Sequence, residues 1–219
     1  TKGTMLCSAP EEGAIVGYAQ TAQIAAIEPA REAADVIKQH RMNYYRYMSE
    51  GTRPAIAVVE DMDYPHAIGA YWGEINTSVH KGFGLNGALT NGVMRDLGDM
   101  PEGFPVVAGS IGPSHGFVHV RSIGQPVNVF GMTVYEGDLI HADRHGALVI
   151  PPTVMRVLEA AIDKLLATEK LVLEPANADQ IAGFNQGWVA TPQWMQHVPT
   201  SPIANWNTWS MKRPEWIAS

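Results

Sequence analysis

Apolar and β-branched residues from Ala14 to Gln23 (AIVGYAQTAQ) alternate as a strand does. Pro29 to Glu50 changes period and predicts a helix, with Ala33, Ala34, Ile37 and Tyr44 able to share a face. Ala55 to Glu60 is an unbroken apolar run closed by the turn-like Asp61-Met62-Asp63, the pattern of a strand buried on both sides. A second helix is predicted over Tyr71 to Lys81. Short strands follow around Ala88, Val106 to Ser110, Val127 to Val134, Leu139 to Ala142 and Ala147 to Ile150. Pro151-Pro152 opens an amphipathic helix from Thr153 to Glu174, where proline fits the first turn. Strands in the middle bracketed by helices predict an α/β or α+β domain without internal repeats.

Composition narrows the field. A chain of 219 residues with 46% apolar and 17% charged residues is globular. At that length roughly 70% of the unfolded surface is buried, so no covalent staple is required. No apolar run approaches the roughly 20 residues that span a bilayer. No basic-then-apolar leader is present, and the single cysteine, Cys7, fits a reducing compartment. Fifteen basic against 22 acidic residues, net −7, argue against nucleic-acid binding. A cytoplasmic protein that engages neither membrane nor nucleic acid is expected.

Two glycine motifs fail for want of context. Gly82-Phe83-Gly84-Leu85-Asn86-Gly87 has the spacing of a dinucleotide fingerprint, but a helix precedes it and a strand follows, the reverse of what a pyrophosphate site needs. Ala108-Gly109-Ser110-Ile111-Gly112 is one residue from a nucleophile elbow, and Pro113 and strand-like sequence follow instead of a helix.

The informative stretch is Trp72 to Met100 (WGEINTSVHKGFGLNGALTNGVMRDLGDM). Twenty residues separate Glu74 from the adjacent pair Arg95-Asp96, and Asp99 follows three residues after Asp96. Carboxylates without thiols suit a hard cation such as Mg²⁺ or Mn²⁺. Arg95 suits bidentate capture of a substrate carboxylate, and Glu74 sits where a helix start offers free N–H groups. An equally bland reading is a surface turn with an Arg–Asp pair.

The pattern acid-x20-Arg-Asp-x2-acid resembles the signature of the class II pyruvate aldolases that cleave 4-hydroxy-4-methyl-2-oxoglutarate, a family shared with the regulator of ribonuclease activity A (RraA-like). Ile15 to Thr21, Phe104 to Ala108 and Pro126 to Pro151 extend the likeness, which covers Ala14 to Glu174. The resemblance implies a swivelling β/β/α fold and a lyase acting on a small 2-oxo acid, by aldol cleavage or oxaloacetate decarboxylation. It implies Asp96 as the metal ligand, and Glu74 and Asp99 as acids holding its waters. Arg95 and the main-chain N–H groups near Ile75 and Asn76 would contact the substrate. It also implies a trimer or hexamer. Glu74 stands where the aldolases usually carry Asp, and Asn91 where Asp is common. The alternatives are a non-catalytic regulator that binds protein, like the ribonuclease inhibitor, and a metal enzyme of the same scaffold with another substrate. The regulator lacks the last acid, so Asp99 favours the enzyme.

Two features stay outside that pattern. His115 and His119, like His141 and His145 beside Asp143, are four apart in strand-like sequence, and His115, in a loop after Gly-Pro-Ser, is the one expected to reach substrate. Five of the six tryptophans lie between Trp188 and Trp216. That stretch predicts a domain over residues 1–178 and an extension over 179–219, packing as an arm on the body or on a neighbouring subunit.

Overall fold

The computed structural model describes residues 1, 3 and 5–177, so the Trp-rich arm lies outside the described residues. The chain divides into two units, Thr1–Met155 and Arg156–Ser219. The first holds thirteen strands and two helices. In chain order these are β1 (Leu6–Cys7), β2 (Ile15–Ala25), α1 (Ala34–Ser49), β3 (Ala55–Asp61), β4 (Ala70–Trp72), α2 (Glu74–Gly82), β5 (Leu85–Thr90) and β6 (Val93–Met94). There follow β7 (Val106–Ala108), β8 (Ser110–Ile111), β9 (His119–Ile123), β10 (Val127–Val129), β11 (Met132–Val134), β12 (Leu139–Asp143) and β13 (Gly146–Ile150). Helix α3 (Pro152–Asn177) begins at the end of this unit and runs into the second.

The main sheet is ordered β1-β7-β5-β3-β2-β12-β13, parallel at its centre and antiparallel at its edges. β2 is long enough to serve two partners: its first residues pair with β12 and Ala22 to Ala25 pair with β9. β4, β6 and β8 form a separate parallel sheet. β3 reads as one apolar run because both its faces are buried. Ala55, Ala57 and Val59 pack with Tyr44, Met48, Trp72 and Phe104, whereas Ile56 and Val58 pack with Val127, Val129 and Ile140. This is the mixed α/β architecture that the pattern predicts.

Several boundaries differ from expectation. The first helix starts at Ala34, not Pro29, after an extended Ala33. The second starts at Glu74: Ala70 to Trp72 is strand, and Gly73 is the residue that turns strand into helix. Val127 to Val134 is a hairpin and not one strand. Phe130 and Gly131 take φ of 51° and 76°, the two left-handed residues of a tight primed turn, and the continuing apolar pattern hides it. Val106 to Ser110 is split at Gly109, where the chain leaves the main sheet for the smaller one. A Cβ at Gly109 would collide with the Asn91 carbonyl oxygen, so only glycine allows that crossing. The paired histidines do not share strands: His115 precedes β9, and His145 lies in the turn between β12 and β13. The helix–glycine–strand order at Gly82 to Leu85 holds, as does the lack of a helix after Ser110.

Candidate functional site

Strand β4 and helix α2 meet at Gly73, and that junction assembles the site. The Arg95 main-chain N–H donates to the Trp72 carbonyl oxygen at 2.8 Å, which lays the loop after β6 against the helix start. Asp96 is held there in the left-handed region, φ 57°, uncommon for a residue with a side chain. Its carboxylate accepts the Glu74 main-chain N–H at 3.1 Å and pairs with the Arg95 guanidinium at 2.7 Å. Gly73 makes this possible, since a Cβ on it would stand 2.5 Å from the Asp96 carboxylate and 2.9 Å from Arg95 Cγ.

The first hydrogen bond of α2 runs from the Thr77 N–H to the Gly73 carbonyl oxygen. The N–H groups of Ile75 and Asn76 come before it and have no acceptor among the described residues, the ordinary condition of a helix start. Beside them lies a cleft of about 510 Å³ whose lining includes Arg95, Ile75, Asn76 and His115. The structure therefore brings together four of the residues singled out in the sequence. Asp96 sits at the edge of this group, tied to Arg95. The Glu74 and Asp99 side chains are exposed and bond to no described residue; Asp99 is linked to Asp96 through its main chain, N–H to O at 3.0 Å.

The cleft lining also includes Arg41, Tyr45 and Tyr71, whose polar groups the sequence did not single out. The signal for the first two was the spacing Ile37, Arg41, Tyr45, which places them on one stripe of α1. Tyr45 donates its hydroxyl to Asn76 Oδ1 at 3.1 Å, and Asn76 Nδ2 donates to the Tyr71 carbonyl oxygen at 2.7 Å. This chain fixes α1 to the start of α2. A deeper link backs it: the buried His80 donates Nδ1–H to the Asn76 carbonyl oxygen at 2.5 Å and accepts the Tyr44 hydroxyl proton on Nε2 at 2.7 Å. Burial holds His80 neutral, with its pKa lowered to about 4.

His115 and His119, which also lines the cleft, each turn Nδ1 onto a main-chain carbonyl oxygen at 2.8 Å. Nδ1–H is thereby the donor in each, and Nε2 has no partner among the described residues. The other pair does not join them. His145 contacts Asp143 at 3.3 Å, and His141 lies on β12.

Among the described residues no three His, Cys, Asp or Glu side chains gather as a metal cage. A hard cation that keeps most of its water needs fewer protein ligands, and the half-exposed Asp96 carboxylate offers one oxygen donor, with no competing thiol. The residues present fit that kind of site: Asp96 would be the ligand, and the exposed Glu74 and Asp99 would be the acids for the surrounding water.

The sequence model of one family, RraA-like (Aldolase/RraA), matches residues 2–149. A search of curated proteins finds no significant match. Solved structures share the fold. One, described as novel cellulases from microbes associated with the gut ecosystem, is 22% identical with a TM-score of 0.61, covering 77% of this chain and 73% of its own. An uncharacterized protein from Pseudomonas syringae pv. tomato is 20% identical with a TM-score of 0.59, covering 80% and 75%. An unusual Streptomyces coelicolor member of the RNase ES inhibitor RraA protein family is 22% identical with a TM-score of 0.58, covering 76% and 80%.

Proposed function

The chain belongs to the RraA-like family, and from that premise we propose that it is a lyase dependent on a divalent metal, Mg²⁺ or Mn²⁺, that cleaves a small 2-oxo acid through a pyruvate enolate. The observation that carries the reading is the Arg95–Asp96 pair held by the Glu74 N–H, beside the free N–H groups of Ile75 and Asn76, at a cleft without a carboxylate in its lining. The substrate's carboxylate lies against the Ile75 and Asn76 N–H groups, where the helix start favours negative charge. Arg95 orients the 2-oxo group and balances the charge that develops on its oxygen. A cation at Asp96 supplies Lewis-acid polarisation of that same oxygen when bound. In aldol cleavage a water held by Glu74 or Asp99 takes the 4-hydroxyl proton, the C4–O bond becomes a carbonyl as the C3–C4 bond breaks, and the electron pair of that bond becomes the enolate. In oxaloacetate decarboxylation the pair comes from the bond to the departing CO₂. A water held by Glu74 or Asp99 then returns a proton to C3, and His115 contacts the substrate from the opposite loop. We further infer a trimer or hexamer acting in the cytoplasm. No helix among the described residues is long and apolar enough to cross a membrane.

The test is pyruvate release from oxaloacetate and from 4-hydroxy-4-methyl-2-oxoglutarate, with Mg²⁺, with Mn²⁺ and with chelator. Turnover that needs metal and falls at least a hundredfold in Arg95→Ala and Asp96→Ala, with unchanged circular dichroism, supports the reading. Full activity in both variants sinks the site assignment. Neither turnover nor metal binding moves the weight to a regulator that binds protein.

A further inference from the structure

The cleft carries two guanidinium groups, one more than a pyruvyl group requires. Its lining contains Arg41, Arg95, His115 and His119 and no Asp or Glu, in a chain whose net charge is −7. Arg95 already pairs with Asp96. Arg41 is exposed and makes no ion pair or hydrogen bond among the described residues, although acidic side chains outnumber basic ones in the chain. An unpaired guanidinium facing a cleft is available to a ligand. Its position is not left to chance. Tyr45, one turn further along α1, is tied to Asn76, and Asn76 to Tyr71, so the Ile37–Arg41–Tyr45 stripe is held over the cleft. Burial raises the Tyr71 hydroxyl pKa, and the Arg41 charge is close enough to oppose that rise. Around these groups the wall is apolar or aromatic, with Ile37, Tyr45, Tyr71, Ile75 and Val118.

We propose that Arg41 is a specificity-determining residue, which binds a second anionic group on the substrate and selects 2-oxo acids whose two charged ends are joined by an apolar middle. This rests on the reading of Arg95 and the α2 start as the 2-oxo acid end of the cleft. A tail without charge gains nothing from Arg41, which stays solvated; a tail with a carboxylate meets it in a charge-assisted bond.

The experiment measures binding of three probes to the full chain in Mg²⁺ by titration calorimetry. Pyruvate has the near end only, phenylpyruvate adds an apolar tail, and 2-oxoglutarate adds a distal carboxylate. We expect 2-oxoglutarate to bind tightest, and its advantage over pyruvate to fall about tenfold in Arg41→Met and to return in part in Arg41→Lys. Arg41 supports no other side chain, so the melting temperature of these variants serves as the check that the fold is intact. An advantage unchanged by Arg41→Met, or phenylpyruvate binding as tightly as 2-oxoglutarate, overturns the inference. The two readings fail differently. Pyruvate binding that depends on Arg95 but with no Arg41 effect removes only the second subsite; probes that bind Arg95→Met as well as wild type remove both.

Discussion

Gly73 is the single position at which the site depends most on having no side chain. Its φ of −135° suits any residue, so the constraint is space and not backbone strain. A methyl there would press on Asp96 and on Arg95, both parts of the site. Gly73→Ala is therefore expected to leave the circular dichroism spectrum unchanged while pyruvate release falls at least tenfold, as the Arg95–Asp96 pair is pushed from the α2 start. Normal activity in that variant contradicts the packing argument. A sequence reader sees Gly73 as one of 21 glycines. Nothing local sets it apart, because the atoms it makes room for arrive from more than twenty residues downstream.

At the scale of elements, the α1–α2 junction and the end of β3 each bury an ionisable group, and the two respond to pH in opposite directions. His80 has a folded pKa near 4 against an ordinary 6.5. The unfolded chain therefore binds the extra proton, and this contribution to stability is full above pH 6.5 and lost as pH falls toward 4. Asp61 is raised from 3.8 to about 6, chiefly by burial, with one carboxyl oxygen unpartnered. Its contribution is full below pH 3.8 and lost as pH rises through 6. Between pH 4 and 6 the two nearly cancel in the wild type. Asp61→Asn keeps an oxygen for the Asp63 N–H, which donates to Asp61 at 3.0 Å, and removes the titration. Urea midpoints at pH 4.5, 5.5 and 6.5 are expected to be nearly level for wild type and to climb with pH in Asp61→Asn. A level profile in the variant rules out His80 as the buried neutral group. The periodicity of α1 and α2 was legible in the sequence, but not the Tyr44–His80 bond, because a helix pattern says which face is buried and not what it meets.

At the scale of the whole chain, every buried apolar residue among the described residues lies between Met5 and Ile150. The family match ends in the same place, at 149. A chain cut after Met155 keeps that core and both cleft-forming helices, and is expected to unfold cooperatively with a melting temperature within about 5 °C of the full chain. A chain cut after 178 restores α3 and serves as the comparison. Loss of a cooperative transition in the shorter chain alone would show that the core needs α3, and would favour the boundary at 178 over one at 155.

Local pattern and spacing were enough to establish the mixed α/β class, the doubly buried β3, the long final helix and the Arg95-Asp96 turn with its flanking acids. These are properties of residues near one another in the chain, where period and turn chemistry carry the information. The sheet crossing at Gly109, the hairpin at Phe130-Gly131, the seating of Asp96 on the α2 start and the inclusion of Arg41 in the cleft were not legible. Each depends on a contact between distant segments: Gly109 with Asn91, Gly73 with Arg95 and Asp96, α1 with α2. Asp96 adopts its left-handed backbone beside a guanidinium and a helix N–H that only the folded chain brings to it. The chemistry of the site is written in its residue types, and its shape comes from the long-range packing that holds them.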